Sequence, residues 1–427
     1  MISATDRKRI IDLINREVVP AIGCTEPAAV ALAVAKATEL LGTLPESITL
    51  SLSANIIKNA MGVGIPGTGM IGLPIAVALG ASIGRSEYGL EVLRDVTPQA
   101  VEAGKKFIEE GRIRISLCED APSNLHIDVT AAAGDHTSRA VISKAHTNFV
   151  LLVRDGNTLM EAAAEADDES LGNDIELNLA MVYDFAMTAP VEEIRFILKA
   201  KELNMAAARL ALAGNYGHSL GSTIRNVGTR YFGDTPLEHI VAYTSAACDA
   251  RMGGAPVAVM SNSGSGNQGI TATMPVVSFA HDIKASEEQT IRALVLSHLT
   301  SIYIKQSLGR LSALCGCVVA STGASSALVY LMGGGYPQVC AAVKNMVANL
   351  TGMICDGAKP SCSMKITSGV STALMSAMLA VNGKCVTSAE GIVCDDVDTT
   401  IHNLTSIGRE AMLETDRLVL QIMTHKC

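Results

Sequence analysis

Aromatic residues are scarce in this chain, which has 6 Phe, 8 Tyr and no Trp among its 427 residues. Proteins that hold single-stranded nucleic acid stack its bases on aromatic side chains beside a basic groove. The formal net charge is -9, so a basic groove is not expected either. These two shortages argue against a protein that binds nucleic acid.

Charged residues are also few, at 18% of the chain, whereas hydrophobic residues make up 48%. Disordered chains show the opposite balance, so this composition predicts a folded protein. The length predicts two or three domains with a large buried core. Much of that core must come from small or flexible residues, which let helices approach one another closely.

No secretory signal is apparent, because the first residues, MISATDRKR, are polar and charged. Eleven cysteines, an odd number in a long chain, argue against a disulfide framework and favour metal binding or catalysis in a cytosolic protein. We therefore expect a cytoplasmic protein. Residues 313–332 carry no charge over the length of a bilayer span, but their many Gly, Ser and Thr residues favour a buried helix.

Hydrophobic patterning predicts helices over residues 3–19 and 27–41, the second with Pro27 at its start and Gly42 at its end. Between residues 46 and 160 the pattern changes to short strands with a few helices. The predicted strands cover residues 48–56, 112–118, 125–131, 139–145 and 149–159, with Asp155-Gly156 as a hairpin turn. Helices are predicted at residues 71–82 and 95–110.

From residue 172 onward the pattern is helical almost throughout. Ser286 and Gln289 form a capping-box pattern at the start of a helix over residues 286–305. Further helices are predicted at residues 311–332, 337–353, 362–381 and 398–424. We therefore predict an α+β fold, in which residues 1–45 and 166–427 form a mostly helical domain and residues 46–165 form a smaller, inserted α/β domain.

Cys24 is the first candidate for chemistry. It precedes the helix opened by Pro27, and helix N-termini carry partial positive charge and free N–H groups that favour a thiolate. A lone cysteine is more often a small buried residue. Here the sequence Gly23-Cys24-Thr25-Glu26-Pro27 interrupts the helical pattern with polar residues, so the two interpretations are about even.

Cys355 and Cys362 lie on a Gly/Pro loop between two apolar helices, where two thiols can converge on one metal or cluster. Their spacing is not that of a zinc ribbon. Cys315 or Cys317 could supply a third ligand, and because alternate residues of a helix point about 200° apart, we expect one to bind and the other to pack. Three thiolates on an iron–sulfur cluster leave one iron open as a Lewis acid.

The other cysteines show no convincing partner. Cys427, the last residue, could reach back as a displaceable ligand, although a frayed terminus is the simpler interpretation. No Gly-x-Ser-x-Gly elbow or pyridoxal lysine motif stands out, so serine hydrolysis and pyridoxal chemistry are disfavoured.

Two glycine-rich segments are candidates for substrate binding. Pro66-Gly67-Thr68-Gly69-Met70 resembles a phosphate fingerprint in its letters, but no clean strand precedes it and no acidic residue follows at the required distance. It can still bind a small carboxylate at a helix start. Residues 261–269 are polar or glycine between apolar flanks, which favours the lining of a pocket over a flexible surface linker.

Several of these segments together resemble the UPF0597 family, which includes L-cysteine desulfidases and is related to the α domain of iron–sulfur L-serine dehydratases. The resemblance spans essentially the whole chain. It rests on residues 23–27, 66–70, 249–254, 261–269, 314–317 and 355–365. It implies a pyridoxal-independent enzyme with an oxygen-sensitive [4Fe–4S] cluster in its helical, catalytic domain.

The resemblance also implies roles for particular residues. Cys355 and Cys362 fall on two cluster ligands and Cys315 on the third, while Cys24 falls on the thiol that approaches the open iron and serves as base. In related serine dehydratases a C-terminal cysteine can occupy the open position, but we prefer Cys24 to Cys427. From loop chemistry we expect the substrate's carboxylate and amine to be held by Thr68, Ser263, Ser265 and Asn267.

These observations predict β-elimination on L-cysteine, giving pyruvate, ammonia and sulfide, with L-serine as the alternative substrate. Two further hypotheses come from other classes: a non-enzymatic iron–sulfur module that senses iron or oxygen, and a zinc thiol protein. The expected partner is a small amino acid, with no nucleic acid and no membrane. The sequence leaves the oligomeric state open and is compatible with a homodimer.

Overall fold

The computed structural model describes residues 2–162, 175–309 and 312–425, except for the side chains of Thr229 and Thr424. It confirms the α+β class, because helices dominate and one six-stranded sheet lies in the N-terminal part. The N-terminal elements are α1 (Ala4–Glu17), β1 (Pro20–Ile22), α2 (Thr25–Leu41), β2 (Ser47–Leu52), α3 (Ala54–Ala60), α4 (Leu73–Ser82), α5 (Pro98–Glu109), β3 (Ile113–Leu117), β4 (His126–Ala133), β5 (His136–Ser143), β6 (Phe149–Arg154) and β7 (Asn157–Glu161).

The remaining elements are helical apart from one short strand. They are α6 (Leu179–Thr188), α7 (Val191–Ile194), α8 (Leu198–Ala213), α9 (Leu220–Thr223), α10 (Thr229–Phe232), α11 (Pro236–Met252), β8 (Ala258–Met260), α12 (Gly266–Asp282), α13 (Glu287–Leu308), α14 (Gly316–Leu331), α15 (Tyr336–Leu350), α16 (Cys362–Val381), α17 (Val397–Ser406) and α18 (Leu413–Thr424).

The six-stranded sheet has the order β3-β2-β4-β5-β6-β7. Only β2 and β3 are parallel, and the other neighbours are antiparallel. The predicted hairpin is confirmed, with Asp155 and Gly156 in the left-handed conformation between β6 and β7. The strand predicted over residues 48–56 is shorter in the structure. Strand β2 ends at Leu52, and Ser53 is already the N-cap residue of α3.

Helix α2 packs where the sequence did not predict. Its alanines and Val30, Leu32 and Val34 are buried in one core with α4 and the inner faces of β2, β4 and β5. Helix α1 instead joins the core of the C-terminal helices, as expected. A boundary at residues 45 and 46 therefore separates α2 from the sheet that it covers. We keep the two-domain division as a prediction, with α2 moved to the smaller unit; the other boundary, at residue 165, lies outside the described residues.

The C-terminal helices pack around α14, which is buried along almost its whole length. The expectation of a buried helix within residues 313–332 is thus confirmed. In the described part of the chain one helix, α16, is long and apolar enough to span a bilayer, and half of that stretch is buried inside the protein. The capping box of Ser286 and Gln289 at the start of α13 is also confirmed.

A single helix over residues 398–424 is a wrong prediction. A π-helical turn at Ile407–Ala411 separates α17 from α18. At this turn the Gly408 carbonyl accepts a hydrogen bond from the Ser312 hydroxyl, 2.8 Å away, so a side chain from outside the helix takes up one of its carbonyls.

One short strand pair, which the sequence did not predict, joins distant segments. Strands β1 and β8 pair antiparallel over three residues each. Strand β1 leads into Cys24, and β8 leads into residues 261–269. Beyond the pair, the Ser261 amide and hydroxyl both donate to the Val19 carbonyl, at 2.8 and 2.6 Å. This pairing places the glycine-rich loop beside the N-terminus of α2.

Candidate active site

A small cavity of roughly 150 Å³ lies where the N-termini of α2 and α14, the end of α11, helix α3 and the segment before α16 meet. Residues from 24 to 365 line it, so the fold joins parts of the chain that are far apart in sequence. Five of the lining residues are cysteines: Cys24, Cys315, Cys317, Cys355 and Cys362.

Cys24 caps the N-terminus of α2 in an extended conformation and is buried. Its thiol donates a hydrogen bond to Glu26 Oε2, 2.8 Å away. Burial raises the pKa of Cys24 well above its ordinary value, the negative charge of Glu26 raises it further, and the nearby positive charge of Arg251 lowers it. The thiolate expected from the helix N-terminus alone is therefore not the resting state; the protein holds a thiol paired with a carboxylate.

Cys315 and Cys355 are brought together by backbone pairing. Leu314 and Ile354 form an antiparallel bridge. On either side of it the Cys315 amide donates to the Met353 carbonyl at 3.0 Å, and the Cys355 amide donates to the Ala313 carbonyl at 2.6 Å. The two cysteines therefore sit on adjacent, mutually fixed segments.

Cys362 is the first residue of α16, and its amide donates to the Lys359 carbonyl. The loop that separates it from Cys355 presses against α3. Gly357 has φ +89°, and a Cβ at this position would lie 2.0 Å from the Lys58 carbonyl oxygen. Only glycine meets both conditions, so the loop that carries the two thiols is held in one conformation.

The three thiols repel one another when they ionise. Burial raises the pKa of Cys315 to about 12, and the charge of Cys355 adds to the increase. Burial also raises the pKa of Cys362, again with a contribution from Cys355. A bound metal deprotonates thiols outright, so a positively charged centre between them would relieve this repulsion.

The spacing of the sulfur atoms tests the kind of centre. Zinc held by thiolates at 2.3 Å in a tetrahedron needs sulfurs about 3.8 Å apart. Within the described residues no three cysteine sulfurs lie within 4.8 Å of one another. The described cysteines are therefore not already arranged as three ligands of one zinc ion, and three thiols on one cavity are the kind of donor set that iron–sulfur clusters use.

Cys317 lines the cavity but also has a packing role. Its thiol donates to the Lys365 carbonyl at 3.2 Å, and a Cβ on Gly369 would lie 2.6 Å from its sulfur. Cys248, which the sequence left without a partner, is fully buried beside Asn267. Cys427 lies outside the described residues.

The loop at residues 261–269 is mostly buried, with Gly264 exposed, and it is not a surface linker. Ser263, Ser265 and Asn267 all line the cavity. Much of their hydrogen-bonding capacity is used internally, since the Ser263 hydroxyl donates to Asn262 at 2.9 Å and the Ser265 hydroxyl caps α12.

Thr68 does not reach this site. Its hydroxyl donates to the Ile65 carbonyl at 2.7 Å and accepts from the Met70 amide at 3.0 Å, so it closes its own turn. Thr68 is not among the residues that line the cavity. Its role in binding substrate stays a prediction, and in this structure its polar atoms have local partners.

Sequence reasoning missed the charged lining of the cavity. Four cationic side chains and one carboxylate belong to it in the described part of the chain: Lys58, Arg251, Lys305, Lys365 and Glu26. Arg251 stood inside a segment used for the family resemblance without a role of its own. The one signal in the sequence was its position just before Gly253-Gly254, where a helix ends.

A second group of candidate metal ligands lies outside this cavity. It consists of Asp234, Glu238 and His239. Each offers one ligand atom, and these three atoms lie within 4.8 Å of one another. Arg225 pairs with the buried Glu238 at 2.5 Å, and His239 bonds to Asp234 at 2.7 Å and to Asp282 at 2.9 Å. The carboxylates of this group thus already have cationic partners.

Fold and cavity together define the class: an α+β protein whose helical part gathers buried cysteines around a small, charged cavity. Residues 87–421 match the family model of the serine dehydratase alpha chain. The chain belongs to the UPF0597 family, as the sequence predicted. A UPF0597 protein of Bacteroides thetaiotaomicron is 63% identical over 423 residues, or 99% of each chain. Those of Porphyromonas gingivalis and Shewanella halifaxensis are 55% and 46% identical, over 98% and 97% of this chain and 99% and 98% of their own.

Proposed function

We propose that this protein is a pyridoxal-independent lyase that eliminates the β-substituent of a small L-amino acid. L-cysteine is the first candidate and L-serine the second. One observation carries the proposal: the three thiols implied as cluster ligands line the same small cavity as Cys24, its carboxylate partner and a buried arginine.

Cys315, Cys355 and Cys362 would hold a [4Fe–4S] cluster. Burial raises the pKa of Cys315 and Cys362, and the nearby charges of Lys365 and Lys359 partly oppose that increase. When bound, such a cluster supplies a Lewis acid that assists departure of sulfide or hydroxide. Cys317 then remains a packing residue, in keeping with its hydrogen bond to the Lys365 carbonyl.

Cys24 and Glu26 would carry the proton transfer. The Cys24 thiol already donates to Glu26 Oε2, so its proton can pass to that carboxylate over 2.8 Å. The thiolate so formed takes the α-proton of the substrate as general base, and the protonated Glu26 gives its proton to the departing sulfide or hydroxide, which restores both side chains. Loss of the β-substituent gives aminoacrylate, which tautomerises to an imine and is hydrolysed to pyruvate and ammonia. With L-cysteine the balance is one water consumed and one hydrogen sulfide released.

L-serine remains the second substrate because the matching family model bears the name serine dehydratase. Hydroxide and sulfide place the same demands on the residues that hold the carboxylate and remove the α-proton. A module that only senses iron or oxygen would need neither a buried arginine nor the thiol–carboxylate pair.

The test is anaerobic reconstitution of the purified protein with iron and sulfide, followed by assay of pyruvate from L-cysteine and from L-serine. The proposal predicts a brown protein with about 4 iron atoms per chain and pyruvate from at least one substrate. A zinc-loaded, colourless protein after the same treatment would contradict it. Full iron loading with no pyruvate from either amino acid would support a non-enzymatic cluster protein instead.

A further inference from the structure

Arg251 is the least explained charged residue of the cavity. It lies at the C-terminal end of α11, is only 5% exposed and lines the cavity wall. Its Nη1 donates to Asn267 Oδ1 at 3.0 Å. Its Nε is buried and has no hydrogen-bond partner. A buried polar group without a partner is costly, so the protein alone does not satisfy the hydrogen bonding of this guanidinium on the cavity wall.

Arg251 also forms no salt bridge in the described part of the chain, although the carboxylate of Glu26 lines the same cavity. A guanidinium stays protonated in proteins, and a buried charge needs a counter-charge. The neighbouring Lys58 pairs with Asp416, and Lys365 pairs with Asp356. Throughout residues 2–162, 175–309 and 312–425, no carboxylate forms a salt bridge with Arg251.

The surroundings of Arg251 are built to hold its side chain. A Cβ on Gly266, the first residue of α12, would lie 2.3 Å from Arg251 Nε. The missing side chain therefore makes room for the guanidinium. Asn267, the next residue, orients it through the hydrogen bond to Nη1. The same positive charge lowers the pKa of Cys24, which places the arginine close enough to act on the proposed base.

We propose that Arg251 binds the α-carboxylate of the substrate. This inference rests on the proposed function and adds its recognition group. An arginine fork matches a carboxylate in geometry and in charge, so it fixes orientation as well as affinity. A positive charge at the carboxylate also stabilises the negative charge that develops when the α-proton is removed. The enzyme is then restricted to free α-carboxylates and rejects esters, amides and decarboxylated analogues.

Two small probes separate carboxylate recognition from the rest of the site. 3-Mercaptopropionate has the carboxylate and thiol of L-cysteine but no amine, whereas cysteamine has the amine and thiol but no carboxylate. Binding of each is measured by calorimetry on cluster-loaded wild type, Arg251→Gln and Arg251→Lys. Arg209→Gln is the matched control, because Arg209 is an exposed arginine of α8 that does not line the cysteine cavity.

In Arg251→Gln, we expect binding of 3-mercaptopropionate to weaken by about 30-fold or more. Cysteamine binding should change less than about twofold, which is within the usual effect of removing a group that is not contacted. Arg251→Lys restores part of the lost affinity because it keeps the charge but not the fork. Arg209→Gln binds both probes like wild type, and all variants load the same amount of iron.

Four outcomes would overturn the proposal. Unchanged 3-mercaptopropionate binding in Arg251→Gln removes the carboxylate assignment, and equal weakening of both probes shows a general structural effect. Loss of iron in both Arg251 variants makes this residue a counter-charge for the cluster thiolates. A wild type that binds neither probe has no such site. Pyruvate release is measured separately. Selective probe binding without turnover would contradict the proposed lyase activity but would support the carboxylate site.

Discussion

At the scale of single residues, the proposed chemistry depends on how the protein sets the protonation of Cys24. Burial and Glu26 keep it a thiol at rest, and the same hydrogen bond offers the route by which it ionises. A base generated only when needed is protected from oxidation, since the thiolate is the reactive form.

Replacing Cys24 by Ala should abolish turnover and leave the cluster in place. The side chain is the proposed base, but it is not one of the three expected ligands. General base catalysis contributes about 10² to 10⁴ in rate, so kcat should fall at least that far. Iron content and the absorbance spectrum of the anaerobic protein serve as controls. A Cys24→Ala variant that turns over normally would remove this residue from the mechanism.

Replacing Cys355 or Cys362 by Ala should have the opposite pattern, in which iron binding itself is lost. Two thiols cannot hold the cluster as three do, and turnover disappears with it. Cys118→Ala is the matched control, because Cys118 lies just after β3 and does not line the cavity. Iron and acid-labile sulfide analysis decides the result. Retention of full iron in either cavity variant would show that the ligand set is wrong.

His298 makes the site loop sensitive to acid. It is fully buried, its Nε2 lies 2.9 Å from the Thr273 hydroxyl, and its Nδ1 lies 3.1 Å from the Asn262 amide. Because Asn262 Nδ2 can only donate, we assign the ring proton to Nε2. Asn262 in turn accepts from Ser263 and Gln268, which line the cavity. The neutral imidazole of His298 therefore holds the loop at residues 261–269 in place through its hydrogen bond with Asn262.

Burial lowers the pKa of His298 to about 3, so the unfolded chain takes up a proton below about pH 6.5 that the folded protein does not. Folding stability must then fall as the pH drops from about 6.5 toward 3, by up to about 1.4 kcal/mol per pH unit from this group. Urea unfolding of cluster-free protein at several pH values measures the slope. His298→Gln should be less stable at pH 7 yet less dependent on pH; an equal slope in both proteins would contradict the assignment.

At the scale of helices and strands, the sequence predicted the features that depend on residues close together in the chain. The hairpin at Asp155-Gly156 and the capping box at Ser286 follow from residues a few positions apart, and both are present. The pairing of β1 with β8 depends on residues more than 230 positions apart, and each strand has only three residues. A strand of that length carries no periodic signal, so the contact that builds the site could not be predicted.

The same limit applies to Thr68, which sequence reasoning assigned to the substrate, and to Arg251, which it missed. Thr68 has the chemistry of a ligand-binding residue, but its own turn uses its hydroxyl. Arg251 looks like any other helical arginine in sequence, and what distinguishes it is tertiary burial at the cavity with an Nε that has no partner. The family resemblance implies roles for Cys24, Cys315, Cys355 and Cys362. These four cysteines all line one cavity.

The loop between Cys355 and Cys362 depends on glycine at position 357. Gly357→Ala strains a left-handed backbone, at about 1–2 kcal/mol, and adds a clash with the Lys58 carbonyl that typically costs about 1–3 kcal/mol more. Gly383→Ala is the matched control, because Gly383 also has a positive φ but nothing lies within 4 Å of its Cβ position. We expect Gly357→Ala to be the less stable variant by thermal denaturation and to load less iron. Equal behaviour of the two would show that the close approach to α3 is unimportant.

At the scale of the whole molecule, the scarcity of aromatic and charged residues has a structural counterpart. Helix α2 is buried through alanines, and α14 through small and aliphatic residues, so the layers around the cavity approach closely. Two of the charges that the described chain buries, Lys58 and Arg251, lie at the cavity among the thiols. The closely packed helices thus surround one small charged site.

The central claim is that a cluster held by Cys315, Cys355 and Cys362 is required for β-elimination in this cavity. The most direct measurement is the rate of pyruvate release from L-cysteine and L-serine as a function of iron bound per chain, under strictly anaerobic conditions. We predict a rate that rises with iron content and levels off at about 4 iron atoms per chain. A rate that is independent of iron, or no pyruvate at full loading, would contradict the account.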